Sequence, residues 1–170
     1  MEAQMSGSLA VALATPSADA AAGLAQAPLP APLAWYEAPL EERMALVRRG
    51  VPAHWLRTLA AAMDLSRSTL CELLGLKLST INRKLQQNLL LSPDDSERLM
   101  ALQRLIGQAE AVVRDCGDSE GFEASPWLAG WLLQPQAALG GARAANYLDT
   151  ADGREQLSRL IGAQASGSYQ

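Results

Sequence analysis

The feature that most restricts this chain is one uninterrupted pattern between Ser92 and Arg114. Ser92-Pro-Asp-Asp is a helix start: Ser92 can accept from free amides, Pro93 loses nothing at the first position, and Asp94 and Asp95 favour the positive end of the helix dipole. Leu99, Leu102, Ile106, Ala109 and Val113 then recur at steps of three and four, predicting one apolar stripe along about six turns. A stripe of that length demands other helices to cover it, and an intramolecular core covers it without invoking a dimer seam. Composition agrees, with 49% hydrophobic residues but only 5% aromatic ones. Much of the apolar content is Ala and Leu, which lose little entropy in helices, and no run of alternating β-branched residues suggests a strand. The expected fold class is all-α, as one domain or two small ones sharing a core within 170 residues.

Residues 1–34 carry only Glu2 and Asp19 as charges among Ala, Pro and Gly, and read as a disordered tail. The apolar run Leu9-Ala-Val-Ala-Leu-Ala14 has no basic residues before it, which disfavours a signal peptide. No apolar stretch approaches the roughly 20 residues of a membrane span. A cytoplasmic chain without membrane contact is expected, with Cys71 and Cys116 reduced. From Trp35 the pattern changes. Leu40, Met44 and Val47 mark one face of a short helix that Gly50 ends. Pro52 suits the start of the next, with Leu56, Leu59, Ala60 and Met63 as its buried stripe, and Ser66 can cap a third from Arg67 to Leu74. Beyond the long helix, 115–124 is a polar break and Ser125-Pro126 opens a short helix with Trp127 and Trp131. Leu139-Gly-Gly makes a turn, Ala142 to Leu148 one or two helical turns, and Thr150 can cap a last helix to about Gly162. The expected divisions are a tail (1–34), a first helical domain (35–114) and a second (115–170).

Catalysis finds little to work with here. His54 is the single histidine and the two cysteines are scattered, so a zinc site or a Ser-His or Cys-His pair is disfavoured. Asp149, Asp152 and Glu155 cluster at a helix start, where carboxylates favour the dipole without further role. No catalytic residue, metal or cofactor is expected, and the chain reads as a non-enzyme. Taken over the whole chain, the net charge of −4 disfavours nucleic acid. It is unevenly spread, however: residues 65–91 hold Arg67, Lys77, Arg83 and Lys84 against Glu72, a local +3. Salt screens distant charge within about 8–10 Å, so such a segment can hold phosphates between acidic flanks.

That basic segment, Thr69-Leu-Cys-Glu-Leu-Leu-Gly-Leu-Lys-Leu-Ser-Thr-Ile-Asn-Arg-Lys-Leu, has the rhythm of a helix-turn-helix. Gly75 can take the positive φ of the turn, Cys71 is small enough for close approach, and Leu70, Leu74, Leu76 and Ile81 can fill the angle. A second helix from about Ser79 to Asn88 would face Ser79, Thr80, Asn82, Arg83, Lys84 and Gln87 outward, the donor-rich types that reach phosphates and base edges. The competing reading is a solvated helix pair in a small bundle. Lys84 stands where a buried aliphatic is usual.

Three stretches together resemble the Xre/MbcA/ParS-type antitoxins, the partners of RES-domain toxins in type II toxin-antitoxin systems. They are Leu65 to Leu76 with Thr80-Ile-Asn-Arg-Lys-Leu; Leu91-Ser-Pro-Asp-Asp-Ser-Glu-Arg-Leu; and Trp131-Leu-Leu-Gln-Pro, Leu139-Gly-Gly, Leu148-Asp-Thr-Ala-Asp-Gly-Arg and Leu157 to Ile161. The resemblance covers about Leu56 to Gly167 and departs from the family at Ala144-Ala145 and Ala163-Gln164. It implies an Xre/Cro-like helix-turn-helix bundle, usually dimeric, that binds its own operator DNA, followed by a small helical toxin-binding domain. It further implies that the second domain closes the active site of a toxin acting on NAD, with Leu139, Gly140, Gly141, Arg154, Gly162, Gln164 and Tyr169 as the toxin-facing residues. A stand-alone helix-turn-helix regulator is the alternative.

Overall fold

Caps and apolar spacing set the helices, and the long helix organises the rest. The computed structural model describes residues 23–24, 26–117 and 120–165, with side chains up to residue 163. Among these, eight α-helices follow one another: α1 (Pro32–Glu37), α2 (Leu40–Arg49), α3 (His54–Ala62), α4 (Arg67–Leu73), α5 (Leu78–Gln86), α6 (Pro93–Asp115), α7 (Ala124–Leu133) and α8 (Ala151–Ala165). Short 3-10 turns at Ala137–Leu139 and Ala144–Tyr147 link the last two. No strand occurs among the described residues, only the isolated bridges Pro52–Leu90 and Pro135–Arg143. The all-α expectation holds. The serine and threonine caps form as expected: Ser66, Ser92 and Thr150 accept from the amides of Thr69, Asp95 and Gly153 at 3.0–3.1 Å.

Helix α6 is the pillar, with α1, α2, α7 and α8 packed on it. Its stripe is buried at Leu99, Leu102, Ile106 and Ala109, while Val113 is half-buried near the exposed end. Residues from both predicted domains enter one hydrophobic core, from Leu56 and Ile81 through Leu128, Leu132, Leu148 and Leu157 to Ile161. Each such side chain, removed from water, contributes about 1.5–3 kcal/mol. The second half therefore covers a face of α6 that would otherwise be an open apolar stripe.

Two local expectations are corrected. The disordered tail was expected to reach residue 34, but ordered packing begins earlier: Leu24 is buried and α1 starts at Pro32. Long-range donors hold this strap. Trp35 Nε1 donates to the Met100 carbonyl oxygen at 2.9 Å, Gln103 Nε2 to Pro30 O at 2.6 Å and Trp55 Nε1 to Ala27 O at 2.8 Å. His54 Nε2 meets the same Ala27 oxygen at 3.1 Å, so the single histidine helps pin the strap. Gly107 makes the closest approach possible, because a Cβ there would lie inside van der Waals contact of the Pro32 carbonyl and Tyr36 Cβ. Second, Pro52 does not open a helix; it bridges to Leu90, with Ala53 N donating to Leu89 O and Leu91 N to Val51 O. Along α2, Leu46 is buried, Val47 is half-buried against the core, and Leu40 and Met44 are exposed. The apolar run Leu9–Ala14 lies outside the described residues.

Candidate functional site

Two surfaces were expected to act, one on α5 and one on the second half. The turn before α5 is built as the residues dictate. Gly75 has φ +64, in the left-handed region, and the buried Leu70, Cys71, Leu74, Leu76 and Ile81 fill the angle between α4 and α5. Cys71 lies buried in this apolar angle, and the loss of hydration raises its thiol pKa, keeping it protonated and unreactive. Arg98 of α6, which sequence reading missed, holds the turn. Its guanidinium donates to the carbonyl oxygens of Leu74 and Gly75, each at 3.1 Å. A basic residue in the first turns of the pillar, facing a glycine turn, was the available signal.

The outward face of α5 is narrower than expected. Ser79 and Arg83 are exposed and Thr80 is half-buried. Asn82 is half-buried and its Oδ1 accepts from Arg67 of α4 at 3.2 Å, so the two helices share a polar contact on this face. Lys84 points elsewhere: its ammonium donates to Leu90 O at 2.9 Å, closing the chain that leaves the helix. Gln87 is exposed but follows α5, which ends at Gln86 rather than Asn88 because Asn88 takes φ +52. The residues brought together are therefore Ser79, Asn82 and Arg83, with Arg67 beside them. Exposed Lys77 and Gln86 flank the same helix.

In the second half the expected residues divide. Gly140 and Gly141 turn with φ +63 and +83 and lie exposed, beside a half-buried Leu139. Arg154 is buried. It donates to Leu148 O at 3.1 Å and pairs with Glu97 of α6 at 2.5 Å, which makes it a brace between the halves. A second brace joins Gln108 and Ser158: Gln108 Nε2 donates to Ser158 O at 2.9 Å, and Ser158 Oγ donates to Gln108 Oε1 at 2.7 Å. Gly162 is half-buried further along α8, eight residues from Arg154 and so about 12 Å along the axis. The Gln164 side chain and Tyr169 lie outside the described residues.

Of the clustered carboxylates, Glu155 pairs with Arg159 one turn on and Asp152 sits in the first turn of α8. No group of three or more His, Cys, Asp or Glu among the described residues is placed to hold a metal ion. No helix among them is long and apolar enough to cross a membrane.

Comparison with known proteins finds two matched regions. The family model of the antitoxin Xre-like helix-turn-helix domain matches residues 42–104, which run from α2 to about the middle of α6. The model of the antitoxin Xre/MbcA/ParS C-terminal toxin-binding domain matches residues 108–167. A Prs ADP-ribosylating antitoxin of Sphingobium sp. (strain YBL2) is 38% identical over 136 residues, which are 80% of this chain and 86% of that one. With a helix-turn-helix region and a toxin-binding region mounted on one pillar helix, the chain belongs to the Xre/MbcA/ParS antitoxin family.

Proposed function

We propose that this antitoxin neutralises a RES-like, NAD-consuming toxin by covering its active site, and represses its own operon from α5 as a homodimer in the cytoplasm. The observation that carries the first part is the kinship with a Prs ADP-ribosylating antitoxin across most of both chains. ADP-ribosyl transfer draws its ADP-ribose from NAD, so a toxin of that chemistry has a nucleotide cleft to cover. Covering needs surface fit and no reaction. The exposed Gly140–Gly141 turn and the end of α8 suit that role, because Arg154 and Ser158 of α8 are bound to α6.

The second part rests on Ser79, Asn82 and Arg83 standing on the outward face of a helix-turn-helix. A helix placed this way enters the major groove, and two-fold operators match two-fold proteins. Co-expression with the toxin encoded beside this chain tests the neutralising part: restored growth and restored cellular NAD are expected. Persisting toxicity without complex formation would refute it. Binding to the upstream promoter fragment, with and without Arg83→Ala, tests the repressing part.

A further inference from the structure

An open groove of about 530 Å³ runs between α2, α6 and α8. Met100 and Leu105 of α6 line it, with Leu40 and Met44 of α2 on one side and Ala151 and Ser158 of α8 on the other. Leu40 is 57% and Met44 40% exposed, so α2 turns an apolar ridge into solvent although its core contact is Leu46. This ridge is contiguous with a built concave surface, unlike an isolated surface leucine.

The charge at the groove is one-sided. Arg43 and Arg104 both line it. Arg43 donates to the Tyr36 carbonyl oxygen at 3.4 Å, and the Arg104 guanidinium lies over the Tyr36 ring, 5.9 Å from its centre. Neither is paired with a carboxylate among the described residues. Partial burial, and then the neighbouring Arg104, pull the Arg43 pKa below its usual value. The carboxylates of the groove are already engaged, Glu97 by Arg154 and Glu155 by Arg159. Two unneutralised guanidinium groups beside an apolar ridge are complementary to an amphipathic helix bearing carboxylates.

We propose that this groove belongs to the toxin's footprint, receiving an acidic amphipathic helix of the toxin whose aliphatic ridge lies on Leu40 and Met44 and whose carboxylates meet Arg43 and Arg104. The inference rests on the antitoxin reading given above. It adds that the toxin contact extends beyond the C-terminal toxin-binding region. The α8 wall falls within residues 108–167, whereas Arg43, Met44 and Arg104 fall within 42–104, so one bound helix bridges both matched regions. The toxin is thereby tied directly to the unit that carries α5.

The test is the Kd between the full chain and the adjacent-gene toxin carrying an inactivating substitution in its own site, measured at low and high salt. Arg43→Glu with Arg104→Glu is expected to weaken binding at least about tenfold and to abolish part of its salt dependence, while the double lysine variant keeps most of the affinity. Leu40→Asp alone is expected to weaken binding with little change in salt dependence. All are exposed or half-exposed positions, and unaltered melting temperatures would exclude misfolding as the cause. Wild-type affinity in both charge and Leu40 variants overturns the groove proposal and leaves the antitoxin reading standing. Absence of binding by the wild-type chain overturns the antitoxin reading itself. If the variants instead change the oligomeric state without toxin, as read by sedimentation, the groove receives a second copy and the proposal is wrong.

Discussion

Helices α5 and α8 each complete one half of the molecule, α5 against α4 and α8 against the pillar, and they use polar residues in different ways. On α5, Ser79 and Arg83 face solvent while Ile81 alone is buried. On α8, Arg154 and Ser158 turn inward to Glu97 and Gln108, and Leu157, Leu160 and Ile161 fill the core. A helix that reads DNA must keep its donors free, and their desolvation is recovered only on binding. A helix that seals a core keeps its polar groups satisfied within the fold. Arg154 and Ser158 are therefore held within the fold, while Glu155 and Arg159 stay exposed and pair with each other.

Several substitutions break or sharpen this contrast, and the largest effect is expected at the end of the chain. Removing residues 166–170 should abolish growth rescue while operator affinity and melting temperature stay at wild-type values; a retained rescue would move the inhibitory surface elsewhere. Next comes Gly107→Ala, which strikes the pillar where α1 packs on it. A methyl group against the Pro32 carbonyl should destabilise by about 1–3 kcal/mol, lowering the melting temperature by several degrees. Both activities should then fall together near the new transition, as a thermal scan with parallel binding measurements would reveal.

Arg154→Ala should cost about 1.5–3 kcal/mol in chemical denaturation, since it removes charged hydrogen bonds to Leu148 O and Glu97. Operator affinity should not change, in contrast with Arg83→Ala. That substitution should weaken operator binding by about tenfold and lower the salt slope by about one if Arg83 holds a phosphate. The smallest effect is expected from Lys84→Ala. Its ammonium already serves Leu90 O, so the salt slope should stay unchanged and stability should fall by about 1 kcal/mol. An equal slope change for Arg83 and Lys84 would mean that the outward face is broader than the structure has it.

What was legible beforehand follows from range. Ser66, Ser92 and Thr150 act on amides three residues away, and the α6 stripe repeats within single turns, so a local reading finds them. Gly75 was found for the same reason. The strap at residues 26–37 was not, because its order depends on Trp35, Gln103 and Trp55 donating to carbonyls 28 to 73 residues distant. Composition there, rich in Ala and Pro, argues only the local case. Lys84 was misjudged similarly: its partner Leu90 comes within reach only because Asn88 turns left-handed after α5. The α2 face was legible as a helix face only. Periodicity identified Leu40, Met44 and Val47 as one side of a helix, but not which side the pillar covers.

Hydrogen exchange of the full chain, alone and then saturated with operator DNA or with inactive toxin, tests the separation of the two surfaces most directly. Slowed exchange is expected over 78–86 with DNA. With toxin it is expected over 139–141, the end of α8 and α2, with 78–86 unprotected. Protection of 78–86 by both partners would contradict the account, because one helix would then serve both.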